Sequence, residues 1–138
     1  MRRSSPLYVA KKDATMSPMR IELAREYRFE AAHRLPRLPA SHKCFRLHGH
    51  SFRFEVVIEG EVDESTGFLI DFGDVDKLVQ PIVDRLDHYY LNEVEGLDNP
   101  TSEVLAAWLW RRIQPLLPIL TAITVAETCD ARCTYRGR

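Results

Sequence analysis

The stretch Cys44-Phe45-Arg46-Leu47-His48-Gly49-His50-Ser51-Phe52-Arg53-Phe54-Glu55-Val56-Val57-Ile58 sets a thiol and two imidazoles at the mouth of an alternating segment. Side chains two apart in a strand point the same way, so His48, His50, Phe52, Phe54, Val56 and Ile58 share one face. The pattern predicts a strand over residues 48–60 whose apolar face ends in two histidines. Neutral imidazoles two apart on a rigid strand, with Gly49 between them, are suited to gripping one metal ion, and a single further ligand would make a catalytic-type site.

Upstream, Ile21, Leu23, Arg25, Tyr27, Phe29, Ala31 and His33 alternate with Glu22, Ala24, Glu26, Arg28, Glu30 and Ala32, which predicts a half-buried strand ending at His33. Residues 35–43, with Pro36 and Pro39, read as a loop. If the two strands pair antiparallel as neighbours, His33 lies near His48 and His50 on the same face. A lone histidine on an apolar face is more often a satisfied core residue than a ligand. Three on one face outweigh that base case, and three nitrogen ligands leave a fourth position for water or substrate, with zinc the expected ion. The competing possibility is a closed structural zinc site with Cys44 as fourth ligand. His42, in the loop, is expected to be exposed.

Downstream, residues 63–67 read as a turn before the apolar piece Phe68-Leu69-Ile70. Asp71 can cap a helix in which Val75, Leu78, Val79, Ile82 and Leu86 recur at helical spacing, with Pro81 as a local misfit that should kink or weaken it. Residues 87–92 are taken as its last turn and a loop. Asn99-Pro100-Thr101-Ser102-Glu103 announces a second helix by a cap, an early proline and a first-turn acid, followed by Leu105, Trp108, Leu109 and Ile113 on one stripe and stopped by Pro115 and Pro118. A third strand is expected over residues 120–127, ending in Glu127, and a short fourth over residues 133–136. The order ββααββ predicts an α+β fold, a four-stranded antiparallel sheet with two helices on one face. So few helices leave sheet edges uncovered, which favours an oligomer.

The chain has 138 residues, 45% of them hydrophobic and 28% charged, which suits one soluble globular domain, expected over residues 19–138. Nineteen basic against 20 acidic residues give a net charge of −1, and no basic stripe points to nucleic acid. Three cysteines without a close pair argue against a disulfide framework and for a reducing, cytoplasmic setting. No apolar run approaches the roughly 18 to 20 residues of a membrane span. Residues 1–18 carry Arg2, Arg3, Lys11 and Lys12 and too short an apolar patch for a signal peptide, and are expected to be a disordered extension, with Met16 or Met19 as other possible starts.

A free thiol has a pKa of about 8.5, so Cys44 needs a partner to act as base or nucleophile. Asp87-His88 supplies the usual one, a carboxylate that orients an imidazole. The plainer alternative for that pair is a helix terminus in which His88 complements the macrodipole. For Glu127 it is a surface acid at a strand end, and Cys129 and Cys133 are expected to be buried small side chains.

Together, Phe29-Glu30-Ala31-Ala32-His33-Arg34-Leu35, the 44–50 run, Ile70-Asp71-Phe72, Leu86-Asp87-His88, Leu91-Asn92, Pro100-Thr101-Ser102-Glu103 and Glu127-Thr128-Cys129 resemble the 6-pyruvoyltetrahydropterin synthase family over nearly the whole domain. The spacing from Cys44 to His48 is similar to that of its queuosine-pathway branch, which forms 6-carboxytetrahydropterin. The resemblance implies the tunnelling fold, three subunits joining sheets into a barrel and two trimers stacking as a homohexamer with active sites between subunits. It implies a lyase with zinc on His33, His48 and His50, acting on 7,8-dihydroneopterin triphosphate with release of triphosphate and acetaldehyde. Cys44 would be the base, Asp87 and His88 its activating pair, and Glu127 the anchor of the pterin N–H groups. Thr101, Ser102 and Glu103 would line the pterin pocket, with helix capping as their alternative role. No nicotinamide or flavin is implied. The close competitor is the same chemistry stopping at the pyruvoyl product, and a competitor of another class is a non-catalytic, zinc-stabilised binding module.

Overall fold

The computed structural model describes residues 18–138; the expectation for residues 1–17 lies outside them. Strands β1 (Arg20–His33) and β2 (His48–Glu61) pair antiparallel without a break, from Arg20 opposite Glu61 to His33 opposite His48. Tyr27, Phe29, Ala31 and His33 are buried on the inner face, as are Phe52, Phe54, Val56 and Ile58. Phe29 stacks on Phe52 with ring centroids 5.0 Å apart and Tyr27 on Phe54 at 5.4 Å, each ring directly opposite its partner in the register. These cross-strand pairs fix the alignment, because a one-residue slip would turn every ring and His33 to the other face.

Helix α1 (Phe72–Leu86) starts where Asp71 accepts the Gly73 N–H at 2.8 Å, and buries Val75, Val79, Val83 and Leu86. It runs through Pro81 unbroken, with the proline ring on its exposed side. Arg25, which alternation puts on the apolar side of β1, is exposed and grips Asp76 of α1 at 3.0 and 2.9 Å, while Tyr27 Oη–H donates to the same carboxylate at 2.6 Å. Helix and strand are thereby tied together at the edge of the core.

Beyond α1 the structure departs from expectation. The His88 N–H donates to the Glu30 carbonyl at 2.6 Å, and this steers the chain onto the free edge of β1. Tyr89–Tyr90 then form strand β3, parallel to β1 beside Ala31 and Ala32. Helix α2 (Ser102–Ile113) is capped by Thr101, whose Oγ1 accepts the Val104 N–H at 3.1 Å, so it begins two residues later than a cap at Asn99 would set it. Strand β4 (Leu120–Ala126) pairs with β2, and β5 (Cys133–Tyr135) with β4, both antiparallel. The sheet is therefore five-stranded and mixed, ordered β3-β1-β2-β4-β5, rather than four-stranded and antiparallel. A two-residue parallel bridge has no alternation to betray it in sequence. The two helices, in contact with each other, pack α1 on β1 and α2 on β4 and β5, and their buried side chains join those of the inner sheet face in one core.

Candidate functional site

His33 ends β1 and His48 opens β2, so the register alone sets them opposite one another, with His50 one alternation further on. The Nδ1–H of His33 donates to the Pro100 carbonyl at 2.9 Å, and that of His48 to the Arg46 carbonyl at 2.7 Å. Carbonyls only accept, so in each neutral ring the proton sits on Nδ1 and Nε2 presents a bare lone pair. Those two Nε2 atoms lie 3.0 Å apart. Two lone pairs at that distance repel, and a cation shared between them turns the repulsion into ligation. Nitrogen ligands at about 2.0–2.1 Å around a tetrahedral ion stand about 3.3 Å from each other, close to this spacing. The ligand atoms of His33, His48 and His50 all lie within 4.8 Å of one another, so the three residues fit one metal ion.

Burial pushes the His33 imidazolium down to about 4, with His48 and His50 adding to the effect and the Pro100 carbonyl opposing it. Burial also lowers His50, against the pull of Glu127. Both rings are thus in the neutral, ligand form near neutrality. Gly49 keeps the two β2 histidines close to the partner strand: a Cβ there would stand 3.2 Å from the Ala31 carbonyl oxygen, tighter than ordinary contact.

Glu127, just past β4, brings Oε1 to 3.9 Å from His33 Nε2, so this end of the sheet carries a carboxylate beside the imidazoles. Ser102, Glu103, Glu127 and Cys133 line one cleft of about 210 Å³, while Thr101 is occupied as the cap of α2. Cys133 is half-buried, and its thiol is pushed up by burial and then by Glu103 and Glu127. Cys129 is exposed, contrary to the expectation of a buried side chain, because it sits in the connection between β4 and β5 beyond the last ladder pair.

Cys44 lies half-buried in a short 3₁₀ turn, Lys43–Phe45, and among the described residues it does not join the histidine set. His42 is exposed, as expected, but it also caps that turn by accepting the Cys44 N–H at 3.0 Å. Asp87 and His88 form a pair, Nδ1 to Oδ2 3.1 Å, at the end of α1. The Glu30 N–H donates to Asp87 Oδ1 at 2.9 Å, and this bond, then the contact with His88, holds the carboxyl below its ordinary range. His88 has φ +66°, a left-handed conformation uncommon outside glycine, and lines an open groove of about 540 Å³ with Glu30, Ser51 and His50. The backbone carbonyls of Pro100 and Arg46, which set the tautomers, escaped sequence inspection because a carbonyl has no residue signature.

Residues 22–138 match the family model described as 6-pyruvoyl tetrahydropterin synthase. A 6-carboxy-5,6,7,8-tetrahydropterin synthase of Synechocystis sp. is 41% identical over 117 residues, 80% of this chain and 89% of its own length. A dihydroneopterin monophosphate aldolase of Pyrococcus furiosus is 46% identical over 72 residues, 52% of this chain and 60% of its own. The solved 6-pyruvoyl tetrahydropterin synthase of Caenorhabditis elegans superposes with a TM-score of 0.81 at 28% identity, over 89% of this chain and all of the other. With one family pattern running from the start of β1 through the histidine cluster to residue 138, and the same fold in a solved member, this chain belongs to the 6-pyruvoyl tetrahydropterin synthase family.

Proposed function

We propose that this protein is a zinc-dependent carbon–oxygen lyase that converts 7,8-dihydroneopterin triphosphate to 6-carboxytetrahydropterin, with release of triphosphate and acetaldehyde, in queuosine and 7-deazaguanine biosynthesis. The observation that carries it is the opposed pair of lone pairs on His33 and His48, 3.0 Å apart with His50 beside them. The similarity to the Synechocystis 6-carboxytetrahydropterin synthase supports the choice of product. Zinc bound by His33, His48 and His50 would act as a Lewis acid toward the substrate's side-chain oxygens and acidify the neighbouring carbon-bound hydrogens. Cys44 takes up a proton from carbon, and Asp87, through His88, keeps the thiol able to do so. Glu127 accepts the parallel N–H donors of the pterin ring, and Ser102 and Glu103 shape the same cleft, with Thr101 beside them. One water is consumed: the inner side-chain carbon remains as the carboxylate and the outer two depart as acetaldehyde.

In this reading the Cys44 turn and the Asp87–His88 pair at the end of α1 meet across a site shared between copies, in a hexameric dimer of trimers. No helix among the described residues is long and apolar enough to cross a membrane.

Incubation with the triphosphate should yield the carboxylated pterin and acetaldehyde by mass. Cys44→Ala should abolish turnover while zinc stays bound. Metal loss in that variant would point instead to a closed structural site. A pyruvoyl product without acetaldehyde would move the protein to the biopterin-type reaction. A second substrate is favoured by the Pyrococcus relative: faster turnover of dihydroneopterin monophosphate than of the triphosphate would make the protein an aldolase.

A further inference from the structure

Three consecutive carbonyls of the turn that carries Cys44 are each held by the ends of the two ligand-bearing strands. The Cys44 carbonyl accepts the Leu35 N–H at 2.8 Å, that of Phe45 accepts Arg34 Nε–H at 3.2 Å, and that of Arg46 accepts His48 Nδ1–H at 2.7 Å. Arg34 and Leu35 directly follow His33 in sequence. The turn is thereby fastened to the metal ligands from both sides. One of these donors is a backbone group and one belongs to a ligand, which leaves Arg34 as the donor whose side chain has no other role in the site.

Arg34 is also held on its own account. Its guanidinium lies over the Phe45 ring, 4.5 Å from the centroid, a planar contact that adds to the hydrogen bond on the same residue. Its backbone is clamped in both directions by one side chain: Asn92 Oδ1 accepts the Arg34 N–H at 3.0 Å, and Asn92 Nδ2 donates to the Arg34 carbonyl at 2.8 Å. Asn92 mimics a strand neighbour there, and its Nδ2 reaches the Asp98 carbonyl at 3.3 Å as well.

We propose that Arg34 is a positioning residue for Cys44, holding the thiol-bearing turn at a fixed place beside the His33–His48 pair, with Asn92 fixing the backbone of Arg34 in turn. This rests on Cys44 being the base. A base that takes a proton from carbon must keep its reach, and a misplacement of about 1 Å can cost on the order of 100-fold in rate. The hydrogen bonds of Arg34 and Asn92 go to each other and to the Phe45 and Asp98 carbonyls rather than to the three histidines, so both would act through the turn.

The test uses the metal-loaded, full-length protein and the variants Arg34→Met, Arg34→Lys and Asn92→Ala. In Arg34→Met, kcat should fall about 10- to 100-fold with KM within about twofold, metal per chain should be unchanged, and Arg34→Lys should recover part of the loss. Amide hydrogen exchange in residues 41–47 should quicken, that in residues 48–58 should not, and Asn92→Ala should move the same segment in the same direction. Alkylation of Cys44 by iodoacetamide, followed by peptide mass, should change in rate. A native kcat in Arg34→Met would overturn the proposal, and so would metal loss that Arg34→Lys does not repair, since Arg34 would then serve the ligands. If the wild-type protein fails to turn over the triphosphate, the functional proposal falls by itself. The exchange and alkylation readouts need no turnover, and unchanged values there overturn the positioning role whatever the substrate.

Discussion

The side chain of His33 is 1% exposed and that of His88 is 77% exposed, and the two rings are placed by different means. His33 stands in the longest uninterrupted register of the fold, opposite His48, with its tautomer fixed by the Pro100 carbonyl. His88 stands in a left-handed turn after α1, with Asp87 on its Nδ1 and the Glu30 carbonyl on its N–H. The first region is finished within one chain, because strand pairing brings its partners along. The second is presented outward, and strand pairing contributes only an anchor for its backbone. The candidate metal site is a property of the sheet, whereas the Asp87–His88 pair is a property of a turn.

The largest expected effect separates the two regions by metal. His33→Ala should abolish stoichiometric metal binding, measured by elemental analysis after gel filtration, while a substitution at His88 should leave it intact. Equal metal loss in both would erase the distinction. A smaller effect separates them by pH in the metal-stripped protein. The folded value of His33, about 4, lies below the roughly 6.5 of an unfolded histidine, so between these the unfolded chain binds more protons. Its contribution is complete above about pH 6.5 and lost as pH falls toward 4, up to about 3 kcal/mol at 1.36 kcal/mol per unit. Urea unfolding across that window should show the loss, and His33→Ala should remove the His33 share of it, leaving what the lowered His50 contributes. The depressed Asp87 carboxyl also favours folding, but its contribution is present above the ordinary carboxylate value and disappears only below it, in a lower window.

The same contrast governs how much was legible in the sequence. His33, His48 and His50 were readable because alternation is a strong signal over two strands of 14 residues and antiparallel pairing of neighbours follows from it. Asp71 was readable as a cap because an aspartate directly precedes the helical pattern. The two-residue strand β3 was not, being too short to carry a period and owing its place to the Glu30–His88 hydrogen bond. The cap of α2 was misplaced because Asn99 and Thr101 are both good capping residues, and only tertiary placement put Pro100 outside the helix, where its carbonyl meets His33. Arg34 and Asn92 belonged to quoted motifs, yet the bonds between Asn92 and the Arg34 backbone, and from Arg34 Nε–H to the Phe45 carbonyl, join segments apart in sequence and leave no spacing to read.

The smallest expected effect concerns the turn itself. A left-handed conformation costs a non-glycine residue about 1–2 kcal/mol, and glycine escapes that cost. Glycine also makes the unfolded chain freer, by about 0.4–1 kcal/mol, which offsets part of the relief. His88→Gly should therefore match the wild type to within about 1 kcal/mol in urea unfolding, while His88→Ala, which keeps the Cβ, should be less stable than His88→Gly by up to about 1 kcal/mol. In both, Asp87 loses its contact with His88 but retains the Glu30 N–H, so its carboxyl should move up only part of the way to the ordinary value in a titration followed by NMR. Equal stability of the glycine and alanine variants would mean that the turn relaxes without histidine. The left-handed backbone would then be made by the ring's contact with Asp87, and the second region would owe its geometry to the very pair it presents.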